Sequence, residues 1–256
     1  MLQQTRKEEI IRLLQEKKEY LVEDLCKKFS VSLSTIHRDL NELEREGRIK
    51  KIHGGVLLNV IEDIETRNTI RLKTNIDLKK RIANKALEFV NNGDCIFVDN
   101  STTCYYFAKA IAESKIQDLL IITNSYLIPG LFTRNENIQV VSTGGYLLKE
   151  FNCFVGPMAI TTIDKFNGDK FFLSTAAISI EGQLSDTFRP ESDEIKREMY
   201  KRSRESICLV DSTKFGKIGQ NRVFLISEIN VIITDNSCSQ ETREEFIKIG
   251  KELVIA

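Results

Sequence analysis

Histidine is scarce in this chain, and what there is lies near one end. The 256 residues include two histidines, both within the first 53 positions, and six scattered cysteines without a C-x-x-C pair. A Cys/His zinc site and structural disulfides are therefore both disfavoured. Most of the cysteines lie in apolar runs, which favours buried, reduced thiols at Cys26, Cys95, Cys104, Cys153, Cys208 and Cys238.

Long apolar runs are missing as well. No run approaches the roughly eighteen residues that a membrane-spanning helix needs, and the first residues are typical of a charged amphipathic helix rather than a signal peptide. We therefore expect a cytoplasmic protein without a membrane partner. With 41% hydrophobic residues, the chain has room for a small domain and a second one of roughly 180 residues.

The stretch SLSTIHRDLNELEREG, residues 32–47, has the pattern of an amphipathic helix. Ser32 is a suitable N-cap and Gly47 a suitable C′ residue. Four apolar residues fall within an arc of about 80° on one side of this helix. We expect them to form its core face: Leu33, Ile36, Leu40 and Leu43. The opposite side is polar and partly basic, with His37 on its shoulder, and carries Ser34, Thr35, Arg38, Asn41 and Arg45.

The segments around this helix predict a helix-turn-helix. A capping box at residues 5–8 opens a first helix, residues 21–29 form a second, and residues 30–32 form the turn. The last helix of such a motif normally enters the major groove of DNA. The following stretch, RIKKIHGGVLL, alternates Lys50 and Lys51 with isoleucines and resembles the basic hairpin of a winged helix.

A charged three-helix unit also occurs as a protein-interaction module. Residues 1–58 contain twelve Lys or Arg against ten Asp or Glu, which is only a small positive excess. The basic hairpin and the positive side of the third helix nevertheless favour DNA binding.

The stretch VSLSTIHRDLNELEREGRIKKIHGGV resembles the winged-helix signature of DeoR-family transcriptional regulators, and the resemblance continues through nearly all of the remaining chain. It implies a repressor of a sugar-metabolism operon that a phosphorylated sugar releases from its operator. The family often has arginine where this chain has His37, so an imidazole here replaces a permanent positive charge. The predicted DNA-binding residues are Ser34, Thr35, His37, Arg38, Asn41, Arg45, Lys50 and Lys51.

From residue 94 onward, apolar runs alternate with helical patterns, which predicts an α/β domain with a mainly parallel sheet. The resemblance adds that this domain is related to sugar-phosphate isomerases. We expect a winged helix-turn-helix domain at 1–58, a connector at 59–78 and a sensor domain at 79–256. The predicted strands are 95–99, 119–124, 138–145, 171–179, 206–211 and 230–235, and the predicted helices are 79–89, 103–113, 126–133, 192–204 and 240–250.

Polar residues end several of these strands, where ligands bind in open α/β sheets. Asp99 is followed by Ser101, Thr102 and Thr103, which open a helix whose free N–H groups and positive dipole end suit a phosphate. The same hydroxyl residues are also good N-caps without any ligand. The loop resembles the family's Asp-x-Gly-Thr-Thr effector loop, with Ser101 in place of the glycine. If this position requires a positive φ or a close backbone approach, the serine narrows or reshapes the pocket.

Four further stretches, TNSYLI, STGGYL, VDSTKFGK and ESDEIKREM, also resemble family motifs. Together with the first loop they predict an effector site formed by Asp99, Ser101, Thr102, Thr103, Asn124, Ser125, Gly144, Gly145, Glu194, Asp211 and Lys214.

Two classes of function remain open for the sensor domain. A sugar-phosphate isomerase-like enzyme that carries a DNA-binding domain would use Asp99, Glu194 or Asp211 as acid or base. A sensor needs only binding, and the lack of histidine in residues 54–256 together with the DNA-binding domain favours it. We therefore expect no catalysis, no metal and no resident cofactor. A cysteine redox switch is a third possibility. Paired half-sites in DNA imply a homodimer or homotetramer.

Overall fold

The computed structural model describes residues 3–17, 19–46, 48–52, 54–58, 70–187 and 189–256. The chain divides into two compact units, Met1–Ile70 and Arg71–Ala256. The predicted C′ residue Gly47 and connector residues 59–69 lie outside the described residues. No helix in the described part of the chain is long and apolar enough to cross a membrane.

The first unit is a winged helix-turn-helix. Its elements are α1 (Gln3–Glu16), β1 (Glu19–Leu21), α2 (Val22–Phe29), α3 (Leu33–Arg45), β2 (Ile49–Ile52) and β3 (Gly55–Leu58). The strands form an antiparallel sheet in the order β1-β3-β2. The predicted helix-turn-helix and hairpin are confirmed. The sequence does not predict β1, which pairs with β3 as the third strand of the sheet.

Helix α3 begins where the sequence predicts. The Ser32 hydroxyl accepts a hydrogen bond from the Thr35 N–H at 3.3 Å, which caps the helix. Ile36, Leu40 and Leu43 are fully buried in the core. Leu33 is 54% exposed, so its predicted place in the core is wrong. It lies in the first turn, and because helical side chains lean toward the N-terminus, it extends past the packed residues into solvent.

Helix α1 begins earlier than the predicted capping box. The described helix runs from Gln3, so Thr5, the predicted N-cap, lies inside it. The Gln3 side-chain amide donates to both carboxylate oxygens of Glu42 on α3, each at 3.0 Å. This contact between two helices stabilises the extra residues, and local sequence patterns do not report it.

The second unit is built on a seven-stranded sheet in the order β15-β14-β12-β9-β4-β5-β6. All its neighbouring strands are parallel, which confirms the predicted fold class. Its strands are β4 (Cys95–Val98), β5 (Leu119–Thr123), β6 (Ile138–Ser142), β9 (Gly168–Leu173), β12 (Ser203–Leu209), β14 (Val231–Thr234) and β15 (Leu253–Ile255). Both faces are covered, as a parallel sheet requires: Phe171 and Phe172 of β9 are fully buried in different core clusters.

Helices and smaller strands complete this unit. They are α4 (Ile76–Ala86), α5 (Thr102–Ala112), α6 (Pro157–Ile163), α7 (Pro190–Lys201), α8 (Gln240–Lys248), the β7–β8 hairpin (Tyr146–Leu148 and Cys153–Val155), and an antiparallel sheet of β10 (Ala177–Ile178), β11 (Gln183–Asp186) and β13 (Asn221–Leu225). The hairpin, α6, β11, β13 and β15 were not predicted.

The predicted strand 138–145 ends at Ser142, and three other predicted elements differ from the structure for identifiable reasons. The strand 171–179 is split, because the Ser174 N–H donates to Asp99 at 3.0 Å and the backbone then leaves the parallel sheet. The helix 126–133 is only a 3-10 turn at Pro129–Phe132, since proline lacks the N–H that a helix interior needs. The helix 192–204 ends at Lys201, because β12 already pairs with β9 at Ser203.

Candidate functional site

The predicted DNA-binding residues lie on the outer side of α3 and on the adjacent strand β2. Thr35 and Lys51 are half-buried, and the exposed members of the set are Ser34, His37, Arg38, Asn41, Arg45 and Lys50. The Lys51 ammonium donates to the Asn41 amide oxygen at 2.6 Å and pairs with Glu44 at 3.1 Å. The wing and α3 therefore form one connected surface.

The acidic side chains of α3 and its C-cap are all neutralised by partners. Asp39 accepts a hydrogen bond from Arg6 at 2.6 Å in a buried ion pair. Lys7 pairs with Glu42 at 3.3 Å and with Glu46 at 2.5 Å.

Two basic side chains on the outer face of α3, unlike its acids, are not engaged in ion pairs with the described residues. Within the described ranges, neither Arg38 nor Arg45 has an ion-pair partner. Because the acids of α3 are turned to α1 and to the wing, the exposed face keeps a net positive charge, which suits a phosphate backbone.

Two of the predicted DNA-binding residues, Ser34 and Thr35, also contact the N-cap of α3. The hydroxyls of Ser34 and Thr35 lie 2.9 and 2.8 Å from the N-capping hydroxyl of Ser32. A hydroxyl combines one donor with two acceptor sites, so both groups keep capacity for a further partner at the start of the helix.

In the second unit, the parallel sheet places most of the predicted effector residues along one edge. Asp99, Asn124 and Asp211 follow directly or closely after β4, β5 and β12, and the glycine pair at 144–145 follows β6. Because these strands run in the same direction, their carboxyl ends form a continuous row.

The loop after β4 has the expected geometry for the start of a helix. Ser101 is the N-cap of α5, and its hydroxyl accepts from the Cys104 N–H at 3.2 Å. Its φ is −67°, so the serine sits in ordinary extended backbone and the positive φ considered for this position is absent. The N–H groups of Thr102 and Thr103 have no partner within the helix, so this helix start presents donors to an anion.

Asp99 lies beneath this loop in a buried network. It is fully buried and accepts hydrogen bonds from the backbone N–H groups of Ser101 at 2.8 Å and Ser174 at 3.0 Å. Lys196 of α7 lies 3.5 Å from the Asp99 carboxylate and 2.6 Å from that of Asp186. Burial acts to lower the pKa of Lys196, but the carboxylates of Asp186 and Asp99 outweigh it and raise the pKa above its ordinary value.

The predicted site includes Glu194 and omits Lys196. Glu194 is exposed on α7, whereas Lys196 is buried. Two residues correspond to a rotation of about 200° around a helix, so these side chains lie on different sides. The structure therefore does not bring Glu194 to the Asp99 network. The stretch ESDEIKREM already contained the lysine, but sequence alone does not tell which residue of the pair faces inward.

Asn124 and Ser125 are buried at the end of β5. The Asn124 side-chain amide donates to the Asn100 amide oxygen at 3.5 Å and to the Phe154 carbonyl at 3.4 Å. Its own amide oxygen is buried with no hydrogen-bond partner in the described structure. The Ser125 hydroxyl accepts from the Leu127 N–H at 3.2 Å.

The two glycines after β6 have different roles. Gly145 has a φ of 113°, and a Cβ there would lie 2.6 Å from the Val155 carbonyl oxygen. The glycine therefore allows the chain to pass close to the backbone of Val155, and not close to a ligand. Gly144 has a φ of 62° with open space where a Cβ would point, so this position borders the accessible side of the edge.

The loop after β12 combines a fixed carboxylate with an accessible lysine. Asp211 is buried and accepts hydrogen bonds from the N–H group of Thr213, at 3.1 Å, and from its hydroxyl. Lys214 is half-buried at the end of a 3-10 turn, Ser212–Lys214. Both charges act on Lys79 of α4, whose pKa is lowered to about 8: burial is the main cause, Asp211 opposes the shift, and Lys214 and Arg71 contribute to it.

The cysteine and acidic side chains bear on two other kinds of site, a redox switch and a metal site. All six cysteines are free thiols, and burial raises the pKa of Cys153 to about 12 and also raises those of Cys104 and Cys208. Because the thiolate is the reactive form, these three sites are poorly suited to a redox switch. Within the described residues, no group of three or more His, Cys, Asp or Glu side chains could hold a metal ion.

Comparisons with known proteins match both units. A model described as a DeoR-like helix-turn-helix domain matches residues 6–62, and one described as the DeoR C terminal sensor domain matches residues 74–236. The L-fucose operon activator of Escherichia coli (strain K12) is 33% identical over 232 residues, which cover 90% of this chain and 94% of that protein. The transcriptional repressor AccR of Agrobacterium fabrum is 30% identical over 255 residues, which cover 99% and 97%.

Among solved structures, ribose 5 phosphate isomerase A from Neisseria gonorrhoeae aligns with a TM-score of 0.39 and 20% identity, over 54% of this chain and 52% of that one. A likeness at this level does not bear on activity.

Proposed function

The chain belongs to the DeoR family of DNA-binding transcriptional regulators, and from this premise we propose that it represses a sugar operon and that a phosphorylated sugar releases it from operator DNA. Control of a sugar operon and repression, as opposed to activation, are two separate parts of this proposal. One relative is named an activator and another a repressor.

The observation that carries DNA recognition is the distribution of charge on α3. Its acids pair with Arg6, Lys7 and Lys51, whereas Arg38 and Arg45 lie on the solvent-exposed side of the helix and have no ion-pair partner among the described residues. In a helix-turn-helix, that side of the last helix faces base edges in the major groove. We assign Arg38 to a base contact, because arginine makes bidentate hydrogen bonds to guanine. We assign Lys50 of the wing and the shoulder residue His37 to phosphate contacts, which position the helix.

The effector site that we propose is the row of strand ends in the sensor unit. The start of α5 offers the backbone N–H groups of Thr102 and Thr103 to a phosphate, and Lys214 supplies a side-chain cation. The unpartnered amide oxygen of Asn124 is a buried acceptor in the same row, and a sugar hydroxyl is the kind of donor that it lacks. These features support a ligand that combines a phosphate with hydroxyl groups.

Binding without turnover is supported by the state of the candidate acids and bases. Asp99 is held by two backbone N–H groups and Lys196, and Asp211 is held by Thr213. An acid or base must reach the proton that it transfers, whereas these carboxylates are already engaged by the protein. Glu194 is exposed outside the Asp99 network. We therefore propose that the sensor unit retains a ligand site and performs no isomerisation.

We propose that operator binding and sugar-phosphate binding are thermodynamically linked. At least two copies are needed to place a pair of α3 helices in successive major grooves, so we propose a homodimer or homotetramer. If the form that binds sugar phosphate more tightly binds the operator less tightly, each ligand weakens the other by the same factor.

A two-stage experiment tests the proposal. Purified protein is first screened by thermal shift against pentose and hexose monophosphates, with inorganic phosphate as the control anion. A DNA sequence selected from a random pool is then titrated by fluorescence anisotropy with and without the sugar phosphate that gives the largest shift. We expect weaker DNA binding with the sugar phosphate and no chemical turnover of it. Multiple turnover would contradict the sensor assignment, and equal affinity for selected and scrambled DNA would contradict sequence recognition.

A further inference from the structure

The sensor unit begins with a short segment, residues 71–74, that we call the entry segment. It is the first described stretch of this unit, and along the chain it follows the winged-helix unit and precedes α4. Any covalent path from the effector site to the DNA-binding unit must pass through it.

Two side chains from different helices hold the entry segment by its backbone. The ammonium of Lys79, on α4, donates hydrogen bonds to the carbonyl oxygen of Arg71 and, at 2.8 Å, to that of Thr74. The hydroxyl of Tyr106, on α5, donates to the carbonyl oxygen of Leu72 at 2.9 Å. The two helices pack against each other, so the three hydrogen bonds form a single attachment.

Each of these side chains is also connected to a different part of the proposed effector site. Tyr106 lies one turn after Thr102, on the same side of α5, so a shift of the first turn of that helix is carried to Leu72. Lys79 is 4% exposed and lies within electrostatic reach of Asp211 and Lys214. The attachment of the entry segment therefore depends on both loops that we assign to the phosphate.

From this arrangement we propose that Lys79 and Tyr106 are positioning residues, through which sugar-phosphate binding fixes the entry segment and thereby controls DNA binding. The inference rests on the proposed function, because it concerns how the same effector site is read.

The physical basis is the unfavourable electrostatic environment of Lys79. The pKa of Lys79 is lowered to about 8, chiefly by burial; the positive charges of Lys214 and Arg71 contribute to this shift, and the carboxylate of Asp211 opposes it. An anion held by Lys214 offsets this repulsion and favours the charged ammonium. Hydrogen bonds from a charged donor are about twice as strong as neutral ones, so near pH 8, where Lys79 is partly deprotonated, the bound anion tightens the hold of Lys79 on Arg71 and Thr74.

The test compares matched variants of the full chain. Tyr106→Phe removes one hydroxyl, and its control is Tyr105→Phe on the same helix. Lys79→Met removes the buried ammonium, and its control is the exposed neighbour, Lys80→Met. For each protein, the measured quantity is the ratio of operator dissociation constants with and without a saturating amount of the sugar phosphate found in the thermal-shift panel.

We expect Tyr106→Phe to reduce this ratio by roughly two- to tenfold, since one hydrogen bond contributes about 0.5–1.5 kcal/mol. Operator affinity without sugar phosphate should stay within about twofold of the unchanged protein, and both controls should keep the full ratio. Hydrogen exchange at residues 71–74 should slow when sugar phosphate binds to the unchanged protein and should respond less in Tyr106→Phe. If Lys79→Met does not fold, Tyr106→Phe decides alone.

A second readout separates positioning from a purely structural role. At pH 8, sugar-phosphate binding should take up protons, because the nearby anion raises the pKa of Lys79; calorimetry in two buffers of different ionisation enthalpy measures this uptake. Lys79→Met should abolish that uptake, and Lys80→Met should not.

Three outcomes would overturn the inference in different ways. An unchanged ratio in both Tyr106→Phe and Lys79→Met removes the entry segment from the control mechanism and leaves the proposed function intact. Weaker sugar-phosphate binding with an unchanged ratio would make Lys79 a simple ligand contact. If the unchanged protein does not respond to any sugar phosphate in the panel, the proposed function fails, and this inference fails with it.

Discussion

Replacing Arg38 with alanine is the most informative change in the DNA-binding unit. The side chain is exposed and has no ion pair within the described ranges, so its removal leaves no buried group without a partner. Surface changes of this kind usually alter folding stability by less than about 0.5 kcal/mol. A bidentate contact to a base is worth about 1–3 kcal/mol, so we expect operator affinity to fall by roughly 5- to 150-fold.

The assay is a fluorescence-anisotropy titration of selected and scrambled DNA at several salt concentrations. The matched control is Arg12→Ala on α1, where the guanidinium is already paired with Glu9 at 2.6 Å. The control should change operator affinity little. Equal losses for Arg38→Ala on both DNAs, with a salt dependence reduced by about one charge, would identify a phosphate contact. An unchanged operator affinity would refute the assignment of this face of α3 to DNA.

Three further changes test other parts of the account. Lys214→Ala should leave operator binding intact and block release by sugar phosphate, because it removes the side-chain cation of the effector site; an undiminished response in the same titration would exclude Lys214 from that site. His37→Arg should strengthen binding to selected and scrambled DNA alike, since it adds a permanent charge beside the phosphates, and a changed sequence preference would show that residue 37 reads a base. Asp39→Asn should lower the free energy of unfolding by about 1.5–3 kcal/mol, because it weakens a buried, charge-assisted hydrogen bond with Arg6. Urea denaturation measures this change, with exposed Asp24→Asn on α2 as control, and an equal stability of the two variants would contradict it.

Periodicity and strand-end chemistry were sufficient to predict the main framework. The apolar spacing of Ile36, Leu40 and Leu43 and the N-cap at Ser32 are local features, and the structure has both. The runs that end near Asp99, Asn124 and Asp211 form buried parallel strands. Such elements are predictable because each residue's environment follows from its immediate neighbours in the chain.

The features that were missed depend on contacts between distant segments. Gln3, in α1 before the predicted N-cap, donates a hydrogen bond to Glu42, 39 positions away. The break after β9 depends on the Asp99 carboxylate, 75 positions from Ser174. The same limit explains the choice of Glu194 over Lys196, since the inward side of α7 is decided by Asp99 and Asp186 and not by the helix itself.

The central claim is that one molecule couples operator binding to sugar-phosphate binding, and the most direct test measures both affinities in a closed thermodynamic cycle. Operator affinity is measured with and without sugar phosphate, and sugar-phosphate affinity is measured with and without operator. We expect each ligand to weaken the binding of the other by the same factor, typically about 5- to 150-fold. Simultaneous binding of both ligands with unchanged affinities would contradict it.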